Sequence, residues 1–154
     1  MSGAALHLQL FGSPTVVHGG ATRALPFERR TQLVVLLALR RQWVPRTELA
    51  TLLWPEHEAK LAFANLRKIL FRLPALPWPV TVDAQGNALR VELSTDVERF
   101  EQALREGRGD DALDLYQGEL LSGFDDGQSE GWTRWVAFER ERLRTAWRAQ
   151  RPTA

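Results

Sequence analysis

The chain has 154 residues, enough for one medium domain or two small ones. Its 44% hydrophobic and 25% charged residues are ordinary globular content, which argues against disorder, and the absence of cysteine excludes disulfides and thiol chemistry. The net charge of +1 hides a split: residues 1–91 carry eleven Arg and Lys against five acids, whereas residues 92–154 carry nine Arg against fourteen acids.

A basic first part joined to an acidic second part implies two surfaces with different partners. The N-terminus lacks a basic region followed by a long apolar core, because His7 and Gln9 interrupt it, so no signal peptide is expected. The longest apolar run, Leu33–Leu39, is far too short to span a bilayer. A cytoplasmic protein with no membrane partner is the expectation.

In chain order, residues 6–11 alternate apolar and polar side chains as a half-buried strand does. Gly12-Ser-Pro14 is a turn, 15–18 resumes extended character, and Gly19-Gly20 leads into a third strand over 21–27. This is a small antiparallel meander. The spacing predicts a helix over 28–41, with Leu33, Val34, Leu36 and Leu37 along one side, and a short helix over 47–54 that Pro55 closes. A longer helix follows over 58–73, and Pro74, Pro77 and Pro79 then forbid helix. Val80–Val82 and Ala88–Leu93 form a hairpin around the turn Asp83–Asn87.

The 58–73 helix has two faces that want different neighbours. At about 100° per residue, Ala59, Ala62, Phe63, Leu66, Ile69, Leu70 and Leu73 fall in one apolar arc. Lys60, Arg67, Lys68 and Arg72 lie outside it with Asn65 beside them, and no carboxylate follows Glu58. A helix anchored by one side and cationic on the other suits insertion between phosphate backbones. Helix, short helix, basic helix and hairpin is the order of a winged helix-turn-helix, with the third helix in the major groove and the hairpin as the wing.

The second part is helical. Thr95 or Asp96 caps a helix through Gly107 that buries Val97, Phe100 and Leu104, and another begins at Gly109-Asp110. An acidic, glycine-rich loop then leads to a long helix over 131–148 that carries Trp132, Trp135, Val136, Leu143 and Trp147 on one stripe.

Several of these segments are similar to a known family. Leu53-Trp54-Pro55, and Ala64-Asn-Leu-Arg-Lys68 followed by Leu70 and Arg72-Leu73, resemble the OmpR/PhoB-type winged helix of SARP-type bacterial transcriptional regulators. Thr95-Asp-Val97 with Phe100, the run Ala112–Phe124, Trp135 and Arg140-Glu-Arg-Leu143 resemble the start of their bacterial transcriptional activator domain. The resemblance implies an α+β winged-helix unit (1–94) followed by a truncated all-α, tetratricopeptide-like unit (95–154). It also implies promoter binding by the first, and oligomerisation, RNA polymerase contact or regulation by the second. The chain departs from the family at Gln42-Trp43, where a small residue is usual, and at Pro74, where basic residues often continue the helix. The family's helical domain also runs on for several more hairpins. The tryptophan helix therefore folds back on 96–116, pairs with a second copy, or belongs to a fragment of a longer regulator, the last or a natural short form being favoured.

Double-stranded DNA is the expected partner, and the candidate contacts are Arg46, Lys60, Ala64, Asn65, Arg67, Lys68, Phe71, Arg72 and Arg90. Lys60 is placed to meet phosphate, Arg46 and Arg90 to meet the backbone from the second helix and the wing, and Asn65 to read an adenine edge or to bond locally. Phe71 touches a thymine methyl or, as the preferred reading, packs on the wing. Trp54 is assigned to the core. His7, His18 and His57 show no ligand spacing, and Asp125, Asp126 and Glu130 match no calcium loop, so neither a metal nor any other cofactor is expected. No phosphate-cradling glycine loop or acid/base constellation points to an enzyme. The alternative reading is a protein-interaction module on a winged-helix frame that does not bind DNA, favoured by Leu61 and Phe71 on the outward face.

Overall fold

A computed structural model describes residues 6–125 and 130–150. The fold is α+β. Strands β1 (His7–Gln9), β2 (Thr15–His18) and β3 (Ala21–Ala24) form the expected meander, with Leu8 opposite Val16 and Val16 opposite Arg23. Helices α1 (Arg29–Arg40), α2 (Arg46–Leu53) and α3 (Ala59–Arg72) follow, and β5 (Asp83–Gln85) and β6 (Ala88–Arg90) make the hairpin. The acidic part contributes α4 (Asp96–Arg105), α5 (Gly109–Leu115) and α6 (Glu130–Gln150). No helix among the described residues is long and apolar enough to cross a membrane.

Two strands appear that the side-chain pattern does not announce. β4 (Val44–Pro45) pairs with β6, which joins the hairpin to the α1–α2 connection in a three-stranded sheet. β7 (Ser94–Thr95) pairs in parallel with β1 and completes the sheet order β3-β2-β1-β7. Two residues are too few to display a period. The hairpin also turns later than expected, at Gly86-Asn87 rather than across Asp83–Asn87. Gly86 takes φ +58° there, a left-handed value that glycine supplies without strain at the first position of a two-residue turn. Pro74 sits in a short 3-10 turn over Leu73–Ala75.

Helix α1 corrects the one-sided expectation. Every residue from Thr31 to Leu39 is buried, because the helix is enclosed by α2, α3, β6 and β7. Arg41, the left-handed residue that ends α1, ties it to α4 through ion pairs to Glu98 and Glu101.

The core runs unbroken across both parts of the chain. It takes in Leu8, Val16, Leu36, Leu49, Leu66 and Leu89 from the first, and Phe100, Ala112, Trp132 and Leu143 from the second. At the junction, the Leu10 and Phe11 N–H groups donate to the two carboxylate oxygens of Asp96 at 2.8 and 3.1 Å. Thr95 is the cap of α4: its hydroxyl accepts from the Glu98 N–H at 3.0 Å.

The tryptophan helix folds back on its own chain. Trp147 stacks on Tyr116 at 4.8 Å, and Tyr116 touches Phe11 and Phe100 in turn. Trp132 is fully buried and donates its indole N–H to the Phe124 carbonyl at 3.0 Å. Arg140 holds the preceding loop by donating to the Leu120 and Leu121 carbonyls and pairing with Asp125. Asp126, grouped above with Asp125 and Glu130, lies outside the described residues.

Candidate nucleic-acid interface

Helix α3 is fixed by the face that buries Ala62, Leu66 and Ile69, with Phe63 and Leu70 half-buried beside them. The helix is about 21 Å long at about 1.5 Å per residue. Its opposite face exposes Lys60, Leu61, Arg67, Lys68, Phe71 and Arg72, while Ala64 and Asn65 are half-exposed. Glu58 is the N-cap at its positive end, without a side-chain cap hydrogen bond, and no acid follows it in the first turn. At the other end Arg30 donates to the Arg72 carbonyl at 3.0 Å, which satisfies one of the last carbonyls.

The cations of α3 differ from eight arginines elsewhere among the described residues. Arg30, Arg40, Arg41, Arg90, Arg108, Arg140, Arg142 and Arg144 each stand within ion-pair distance of a carboxylate. Among the described residues, Lys60, Arg67, Lys68 and Arg72 have no carboxylate partner. The face is a patch of uncompensated positive charge on a rigid element.

The other candidates are placed differently. Arg46, the first residue of α2, is drawn to the wing tip: its backbone N–H donates to the Asn87 carbonyl at 2.8 Å and its guanidinium to the Gly86 carbonyl at 3.2 Å. Arg90 lies over the Trp43 ring at 4.6 Å and near Asp83 and Glu92 at 3.7 and 3.4 Å. Its charge is largely answered within the hairpin. Trp43, noted in the sequence only as a departure, is thus the platform that seats the wing. A cation separated from an aromatic by 47 positions leaves no local signal.

Two expectations need correction. Phe71 does not pack on the wing: it is 87% exposed. The approach to the wing, Val80 and Val82, instead lines a cavity of about 350 Å³ together with Leu70 and Leu73, and Phe71 is not among its lining residues. Trp54 is only half-buried, packed at the margin of the core.

No family model and no curated protein matches the chain. Among solved structures, Mycobacterium tuberculosis EmbR, determined in complex with a low-affinity phosphopeptide, is similar with a TM-score of 0.57 and 19% identity. The match covers 96% of this chain and 45% of that one, so the chain spans less than half of the length of EmbR. At that identity the likeness concerns the fold alone, an α+β unit followed by helices.

Proposed function

We propose that the chain is a sequence-specific DNA-binding transcriptional regulator. In this reading α3 enters the major groove, with Lys60, Arg67, Lys68 and Arg72 on phosphates and base edges. The short side chain of Ala64 allows close approach, and Asn65 faces an adenine edge. Arg46 holds the backbone beside the wing, while Arg90 chiefly seats the wing on Trp43. The acidic helices α4–α6, the start of a tetratricopeptide-like array, meet protein, with RNA polymerase or a second copy as the partner. The observation that carries the proposal is the set of α3 cations with no internal carboxylate, in a fold that neutralises many of its other arginines.

Selection of bound duplexes from a random pool tests this. The expected result is a defined motif, in two copies about 10–10.5 base pairs apart for a dimer of modules. Arg67→Ala and Lys68→Ala should each weaken binding, whereas Asp111→Ala on α5 should not. Uniform affinity for all sequences would remove the specificity. No binding at low salt would favour the protein-interaction module, for which exposed Leu61 and Phe71 speak.

A further inference from the structure

We infer that the outward face of α3 reads thymine methyl groups through an apolar spine of Leu61, Ala64 and Phe71. This rests on the DNA-binding reading above and adds the base chemistry that the face selects.

At about 100° per residue these three side chains fall within about 80° of one another on α3. Lys60 and Arg67 border the arc on one side and Arg72 on the other, with Lys68 inside it. Leu61 is 46% exposed and Phe71 87%, so neither is consumed by the protein's own core. Single apolar residues on a surface need no explanation, but these share the arc that the uncompensated cations occupy. Charge therefore names the occupant: the cations bring a polyanion against this arc, and the spine meets whatever lies between the phosphates.

In the major groove the thymine C5-methyl is the one apolar group; the remaining base edges offer donors and acceptors. A phenyl ring pressed on those acceptors would strip their water and return no hydrogen bond. Against a methyl it loses nothing. Leu61 and Phe71 lie ten residues apart, about 15 Å along the helix. Their contacts should fall on base pairs no more than about five steps apart, at about 3.4 Å per step.

The test takes the site selected by the wild-type chain and replaces each thymine in turn by deoxyuridine, which removes the methyl and keeps every hydrogen-bonding group. At two positions the Kd of the wild type should rise roughly fourfold, the worth of one buried methyl. In Phe71→Ala, whose exposed side chain leaves the core untouched, thymine and deoxyuridine should bind equally at one of those positions. Leu61→Ala should do the same at the other. The inference is overturned if the wild type tolerates every replacement, if the penalties persist in both variants, or if the selected site lacks thymine. In those cases Arg67→Ala still weakening binding would leave the DNA-binding reading standing. Absence of any DNA binding at low salt would overturn both.

Discussion

Asp96 is the residue on which the junction of the two parts turns. Its buried carboxylate accepts from Leu10 and Phe11, 86 and 85 positions away, so nothing in the local pattern reveals it; the sequence offers Asp96 only as a helix cap, a role that Thr95 performs. Burial pushes the carboxyl above the usual aspartate range, while backbone N–H groups of Leu10, Phe11, Val97 and Asp96 itself pull the other way. Asp96→Asn would turn an amide N–H₂ toward one of two N–H donors. The expected loss is about 1–3 kcal/mol in denaturant unfolding at neutral pH. Because the folded-state pKa is raised, the proton is held more tightly in the folded chain. That contribution is complete below the unfolded aspartate pKa of about 3.9 and is lost as pH rises through the folded value. The stability difference between wild type and Asp96→Asn should therefore fall with rising pH across that window and then level off. A difference that rises with pH there would contradict the assignment.

Helices read well from sequence where one face is core and the other is not, and α3 shows why. Ala62, Leu66 and Ile69 recur at helical spacing, so both the buried stripe and the cationic face are visible before any coordinates. The expected stripe differs only at its start, where Ala59 is exposed. Helix α1 is less legible because its surroundings come from four other elements, and β4 and β7 because their partners, β6 and β1, are remote. The docking of α6 on α2 is likewise a tertiary matter. A Cβ on Gly131 would collide with the Leu52 carbonyl oxygen and stand 3.1 Å from its carbonyl carbon. Both atoms are backbone, so α6 itself would have to shift. Gly131→Ala should therefore lower stability by about 1–3 kcal/mol from overpacking, despite the roughly 1 kcal/mol that alanine gains over glycine in a helix. A thermal midpoint equal to or above that of the wild type would show that α6 is not seated on α2 in this way.

Across the whole molecule, opposite charge and a shared core belong together. The basic part presents the free cations of α3 outward. The acidic part spends many of its carboxylates on its own arginines, as in Arg108 with Glu106 and Asp111, Arg142 with Glu101 and Glu139, and Arg144 with Glu119 and Glu141. The aromatic series Phe11, Phe100, Tyr116 and Trp147 runs from the segment just after the first strand to α6. The chain should accordingly unfold in one transition, with far-ultraviolet circular dichroism and tryptophan fluorescence coincident; separate midpoints would mean that the two parts are held independently. The rigid placement of α3 by that core underlies the proposed groove contact. Its most direct test is the dependence of DNA affinity on salt. With about four phosphates neutralised per copy, log Kobs should fall against log salt with a slope of roughly −3.6, and Arg67→Ala should bring it nearer zero by about 0.9. A slope near zero, or one that Arg67→Ala leaves unchanged, would contradict the account.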